Sequence, residues 1–349
     1  EKDAQESRQG EKEDGEPEDA IQEQDQGSAG PEKAQGQRAG RRPADAAVAG
    51  TTMALVKANN LDIEVETHGD PSDPSVVLIM GLAAQLIHWP PAMIDALVAA
   101  GYHVVVFDNR DIGLSEKLKK MSAPSPALTL LSSTVGLGWM VAPYTLQHMA
   151  ADTIGVLDAL DIERAHLLGI SMGGMIGQVA AAENGDRLLS FTSIMSSTNN
   201  RRLPRADSSI VKKIVEARAK SRSEAEMVDR SMEILEMIGT PDGGRDPEAI
   251  RQIVELGISR CAYPAGVRRQ IAAIVASGDL RQYARRIQLP TLVMHGDLDP
   301  LVPHAGSVDM AANIPGARLE IIEGMGHDLP PRYLDQISTL AIEHIAGVE

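Results

Sequence analysis

The sequence predicts an α/β protein: a mostly parallel central sheet flanked by helices, with an inserted helical cap. Three observations carry that prediction. From Met53 onward, short apolar runs alternate with helix-length patterns, the rhythm of a parallel sheet covered by helices. Successive runs stop at Gly81, Asp108 and Ser171, residues suited to leaving a strand for a loop. Between Ser197 and Leu289 the strand rhythm vanishes and helical patterns replace it.

Each element follows in order. Ala54–Val56 and Asp62–Glu66, separated by the turn-forming Asn59-Asn60, read as an opening antiparallel hairpin. Ser75–Met80 is a continuous apolar run, and His103–Phe107, Ala165–Ile170, Leu189–Met195, Thr291–His295 and Arg318–Ile322 are further short runs rich in apolar residues. Their length and composition suit strands covered on both faces. Met172–Glu183, rich in Ala, Gly and Met, opens a helix directly after the third of these runs. In the insertion, Ile210–Lys220, Glu224–Ile238 and Pro247–Ile258 read as helices, broken by Thr240-Pro241-Asp242-Gly243-Gly244. Tyr333–Ile345 has the apolar spacing of a closing amphipathic helix. The chain thus divides into a core of residues 53–196 and 287–349, a cap of residues 197–286, and a separate leading segment.

That leading segment, residues 1–50, is rich in Glu, Gln, Gly and Ala, and its acids outnumber its bases. Only Ile21 and Val48 are aliphatic side chains larger than alanine there, too few to offset the entropy of ordering. It reads as a disordered acidic tail, added or translated from upstream, with no part in the chemistry. It lacks the apolar run of a secretory signal, and a cytoplasmic location is expected.

Composition narrows the partners. The 349 residues carry 33 Lys and Arg against 49 Asp and Glu, a net charge of −16. Nucleic acid and anionic membranes are held through clustered basic charge, so neither is expected. The single cysteine, Cys261, excludes an internal disulfide framework and cysteine-rich metal sites. With two Trp, five Tyr and two Phe, the chain offers little for stacking on bases or sugars. Residues 121–151 contain no charged side chain. Pro124, Pro126 and Pro143 interrupt them, and the unbroken apolar part, Ala127–Ala142, falls short of the roughly 20 residues a spanning helix needs. No membrane span is predicted. The stretch leaves the carboxyl end of the His103–Phe107 run, the edge where open α/β sheets bind ligands, and reads as a wall or flap of an apolar pocket.

The chemistry centres on Gly169-Ile170-Ser171-Met172-Gly173. A strand that turns sharply into a helix presents a serine at the tip of the sheet, and flanking glycines relieve the crowding of that turn. Ser171 is therefore the candidate nucleophile. A serine at its free pKa attacks poorly and needs a base oriented by a carboxylate. His327, in Gly324-Met325-Gly326-His327 after the Arg318–Ile322 run, is the candidate base. Asp297 and Asp299, after the Thr291–His295 run, are the candidate acids, and local pattern alone does not choose between them. Developing negative charge needs backbone donors. The N–H of Met172, directly after the nucleophile, and the N–H of Leu82, in Gly81-Leu82-Ala83-Ala84, are the expected pair. Gly81, His88 and Trp89 are expected to line the substrate pocket, although Trp89-Pro90-Pro91 also reads as a helix start. No HExxH and no GxxxxGK[ST] occurs, and no metal or cofactor is expected.

These residues resemble the α/β-hydrolase fold family over nearly all of residues 53–349. The elbow GISMG, the block Asp108-Asn109-Arg110-Asp111-Ile112-Gly113-Leu114-Ser115, the segment HGDLDPLVP and the ending GMGH carry the resemblance. The family's Gly-x-x-Asp pattern, counted from Gly296, implies Asp299 as the acid. Met80-Gly81 stands where many members have His-Gly. That version, with Trp89-Pro90 further on, resembles a subgroup that includes carboxylesterases and the aclacinomycin methylesterases. Arg110 reads as a structural tie between loops.

The resemblance and the residues together imply a serine carboxylesterase acting on small-molecule esters of short to medium acyl chains through an acyl-enzyme. A methyl esterase of polyketide-type products, a perhydrolase or a C–C hydrolase would use the same triad. A ligand-binding protein of this fold is the alternative from another class. The sequence leaves the natural substrate and the oligomeric state open.

Overall fold

The computed structural model describes residues 51–348, except 126–127, 130, 133–137, 207–208, 211–212 and 214–222. The acidic tail, most of the helix expected at Ile210–Lys220 and the centre of the charge-free stretch lie outside the described residues.

Among the described residues, eight strands form one sheet. They are β1 (Thr52–Ala58), β2 (Leu61–His68), β3 (Ser75–Ile79), β4 (His103–Phe107), β5 (Ala165–Ile170), β6 (Leu188–Ile194), β7 (Thr291–Gly296) and β8 (Arg318–Ile322). Their spatial order is β1-β2-β4-β3-β5-β6-β7-β8. β1 and β2 pair antiparallel, β2 joins β4 antiparallel, and every later pair is parallel. Asn59 and Asn60 both adopt positive φ in the hairpin turn, a conformation asparagine tolerates better than most residues. Chain order reverses at β3, where β4 lies on one side and β5 on the other, and such a switch point opens a crevice at the carboxyl ends of the strands.

Side-chain alternation sorts the strands' residues into two apolar layers. Val77, Ile79, Val105 and Phe107 face one, with Met149 and Val156 from α2 (Leu146–Ala159) and Ile176 and Val179 from α3 (Met172–Glu183). Val76, Leu78, Val104 and Val106 face the other, with Met93 and Leu97 of α1 (Pro91–Ala99) and, near the C-terminus, Leu334 and Ile337. A fully buried Val, Leu or Ile contributes about 1.5–3 kcal/mol, so this two-sided burial is what holds β3 and β4 at the centre. β8 departs from the expectation that all the runs are covered on both faces. It ends the sheet, and Arg318 and Ile321 are exposed, because an edge strand has one neighbour only.

Between β6 and β7 lie α4 (Glu224–Ile238), α5 (Pro247–Arg260), α6 (Pro264–Ser277) and the short α7 (Arg281–Ala284). Ser223 caps α4 by accepting from the Glu226 N–H, and Asp246 caps α5 by accepting from the Glu248 N–H, each satisfying a donor that the first turn leaves open. The chain closes with α8 (Ala305–Asn313), β8 and α9 (Pro331–Ala346). Among the described residues no helix is long and apolar enough to cross a membrane.

Candidate active site

The site is built from the loops that follow β3, β5, β7 and β8. Ser171 sits between β5 and α3 with φ 53° and ψ −119°, a conformation that non-glycine residues adopt only at some cost. The flanking glycines make the turn possible. A Cβ on Gly169 would come 2.3 Å from the Gly173 carbonyl oxygen, and one on Gly173 would come 2.1 Å from the Ile79 carbonyl oxygen. The Ser171 N–H donates to the Ile194 carbonyl at 2.9 Å, tying the elbow to β6. Gly81 lies against the serine: a Cβ there would be 3.1 Å from the Ser171 Cβ.

The loops after β7 and β8 complete a chain of contacts. His327 Nε2 is 3.1 Å from Ser171 Oγ, and His327 Nδ1 is 2.6 Å from Asp299 Oδ2. Asp299 therefore reaches the imidazole. Asp297 instead accepts from the Gly324 N–H at 2.6 Å and braces the histidine's loop. The other Asp299 oxygen accepts from the Leu301 and Val302 N–H groups at 2.9 and 2.8 Å. Burial alone would raise the Asp299 carboxyl. The attraction of His327, hydrogen bonds from His295 and His327, and the Val302 N–H outweigh it and hold the carboxyl well below the usual carboxylate range. Asp299 is thus an anion at neutral pH, and a carboxylate accepting at Nδ1 favours the tautomer that leaves Nε2 open toward the serine.

The loop after β3 brings the Leu82 N–H to the same edge as the Met172 N–H at the start of α3. Among the described residues neither group donates to an acceptor within the protein. Ala83, at φ 65°, donates its N–H to Gln270 Oε1 of α6 at 3.0 Å. Gln85 Nε2 donates to the Gly257 carbonyl of α5 at 2.5 Å. Arg260 donates to Gln85 Oε1 at 2.7 Å and to Asp108 Oδ2 at 2.6 Å. The inserted helices thus grip the residues just past Leu82. His88 accepts from the Gln85 N–H at 2.9 Å, and its ring lies beside Gly257. Trp89 is wholly buried in the apolar layer of α1 and α9. The structure therefore brings Gly81, Leu82, Ser171, Met172, Asp299 and His327 to one sheet edge, sets His88 against α5 and places Trp89 in the core. Arg110, expected to tie loops, donates to both oxygens of Asp152 at 2.5 Å.

The sequence profile of the alpha/beta hydrolase fold matches residues 74–330. The chain belongs to the α/β-hydrolase fold family. Among this hydrolase's relatives is the rhodomycin D methylesterase of Streptomyces peucetius, 26% identical over 296 residues, which cover 79% of this chain and 92% of the relative. The 3-oxoadipate enol-lactonase 1 of Acinetobacter baylyi is 24% identical over 267 residues, covering 75% of this chain and 85% of the relative. Among solved structures, the enol-lactonase of Burkholderia xenovorans superimposes with a TM-score of 0.65 at 25% identity, over 84% of this chain and all of that one.

Sequence reasoning missed His295. Its ring is fully buried, with Nε2 3.1 Å from Asp299 Oδ2 and 2.7 Å from the Val302 carbonyl, and Nδ1 2.6 Å from Ser307 Oγ. The available signal was a lone ionisable residue in the run TLVMH. Gln270 was missed as well, because its partner Ala83 is distant in the sequence and no local pattern links them.

Proposed function

We propose that this hydrolase is a serine carboxylesterase that cleaves small-molecule esters through an acyl-enzyme. The observation that carries the reading is the continuous contact from Asp299 Oδ2 through His327 to Ser171 Oγ, at 2.6 and 3.1 Å. The Ser171 hydroxyl proton passes to His327 Nε2 as Oγ bonds to the ester carbonyl carbon. The carbonyl oxygen takes up the negative charge, and the Leu82 and Met172 N–H groups receive it. His327 then gives its proton to the leaving alcohol oxygen as the C–O bond breaks. A water molecule, deprotonated by the same nitrogen, attacks the acyl-enzyme and releases the acid with Ser171 restored. Asp299 remains ionised throughout and balances the imidazolium. We infer that the inserted helices act as a cap on this edge and that the substrate is an ester of a short to medium acyl group.

A second reading, a methyl esterase of a bulky natural-product acid, is favoured by the similarity to rhodomycin D methylesterase. The two differ in which side of the ester is large. The test is hydrolysis of p-nitrophenyl butyrate and of a polyketide-type methyl ester by the full chain and by Ser171→Ala. Turnover of at least one ester, falling by roughly 10⁴-fold or more in the variant, is expected. The ester that is turned over chooses between the two readings. Equal activity of the two proteins would remove Ser171 as the nucleophile and sink both.

A further inference from the structure

The loop that carries His327 is held by a segment of the insertion, through contacts on three successive residues. The His327 N–H donates to the Ile238 carbonyl at 2.7 Å. The preceding Gly326 N–H donates to Thr240 Oγ1 at 2.9 Å. The following Asp328 accepts through Oδ1 from the Thr240 N–H at 2.8 Å and from the Thr240 hydroxyl at 2.6 Å. Thr240 is buried, and its one hydroxyl uses its proton on one side of His327 and a lone pair on the other. Arg245 locks the far end, donating to the Leu235 and Thr240 carbonyls at 3.1 and 3.0 Å and pairing with Asp328 at 3.4 Å. The two backbones are in direct contact: a Cβ on Gly326 would come 2.6 Å from the Gly239 carbonyl carbon.

We propose that Thr240 is a positioning residue for His327, and that the segment following α4 is a strap through which the inserted helices set the imidazole over Ser171. The inference rests on the reading of His327 as the base. Among the described residues, no other side chain bonds to both the residue before and the residue after the base. A displacement of α4 would therefore move the imidazole relative to Oγ, and proton transfer is sensitive to such displacements.

The test uses the full chain as wild type, Thr240→Val and Thr240→Ser. Valine keeps the shape and removes the hydroxyl; serine keeps the hydroxyl. Turnover of p-nitrophenyl butyrate gives kcat and KM. Labelling of Ser171 by a fluorophosphonate gives both a rate, which needs an aligned base, and an endpoint, which counts folded sites. Thr240→Val is expected to lower kcat and the labelling rate together by roughly 10- to 100-fold, at a full endpoint and with KM within about twofold. Thr240→Ser is expected to restore both rates to within about twofold. A wild-type rate in Thr240→Val, a serine variant as slow as the valine one, or a reduced endpoint labelled at the wild-type rate would each overturn the strap. Should Thr240→Val not fold, Asp328→Ala removes the acceptor from the more exposed side and is read in the same way. A wild type that neither hydrolyses nor labels, or a Ser171→Ala variant that hydrolyses as well as wild type, would overturn the base assignment itself, which is distinct from failure of the strap alone.

Discussion

Ser171 holds a backbone conformation that costs a non-glycine residue on the order of 1–3 kcal/mol, at φ 53° and ψ −119°. The strain persists because the turn is over-determined from both sides, by the bond from its N–H to Ile194 and by the Ser196 hydroxyl, which donates to the Ser171 carbonyl at 2.7 Å. Its use is to aim Oγ away from the sheet tip toward His327. Glycine at this position would keep the turn and lose the strain. Ser171→Gly is therefore expected to be inactive yet more stable than Ser171→Ala by about 1 kcal/mol, read as a higher midpoint in urea unfolding. A glycine variant no more stable than the alanine one would show that the elbow stores no strain. The same local geometry explains why the candidate nucleophile was legible in sequence. Gly169 and Gly173 are required by contacts within one strand–turn–helix unit and with the adjoining β3, so spacing along the chain records them. Asp299 was less legible: Asp297 is two residues away on the same loop, and only the placement of the β8 loop decides which carboxylate meets His327.

At the level of elements, the sheet and the insertion are joined by buried charge. Asp108, at the end of β4, accepts from the Leu86 N–H at 2.8 Å, from the Leu114 N–H at 2.8 Å and from Arg260 of α5 at 2.6 Å. Both side chains of the ion pair are almost completely buried. A buried pair need not stabilise relative to an apolar one, but breaking it from one side leaves an uncompensated charge and costs about 3–5 kcal/mol. Arg260→Met is expected to lose that much in urea unfolding, and Asp108→Asn with Arg260→Met to recover part of it. A single-variant loss under about 1 kcal/mol would mean that solvent reaches Asp108 when the arginine is gone. Arg269 of α6 makes a parallel connection, donating to both oxygens of Asp111 at 2.8 and 2.7 Å. These ties mark the limit of what the sequence discloses. Strands β4, β5 and β8 and helix α4 were readable to the residue, since apolar-rich runs and helical spacing are local signals. Which residue of the insertion grips which loop depends on contacts across the fold: Gln270 on Ala83, Arg260 on Asp108 and Thr240 on Gly326 leave no periodic trace.

For the whole molecule, histidines in the core bear on the proton balance of folding. His166 of β5 is almost fully buried, bonded through Nδ1 to Ser190 Oγ at 2.8 Å and edge-on to Tyr102. Burial, then the nearby His344 of α9 and Arg164, push its pKa down to about 4. Burial likewise lowers His103 of β4 and His344. In the unfolded chain a histidine takes up its proton near pH 6.5. Between that value and about 4, the unfolded chain carries a proton on His166 that the folded protein does not, so stability falls as the pH drops through this window. Asp299 acts lower down. Its folded carboxyl lies well below the usual range, so its stabilisation is full above the unfolded carboxylate value and is lost only as the pH falls beneath it. Acid should therefore weaken the fold in two stages, the histidines first. His166 alone is expected to account for about 3 kcal/mol of the loss between pH 7 and pH 4. His166→Gln, which keeps a polar group for Ser190 and cannot take up a proton, should lose about 3 kcal/mol less over the same interval. Urea unfolding of both proteins at the two pH values measures the difference. Parallel losses in the two proteins would mean that His166 takes up its proton in the folded state as readily as in the unfolded chain.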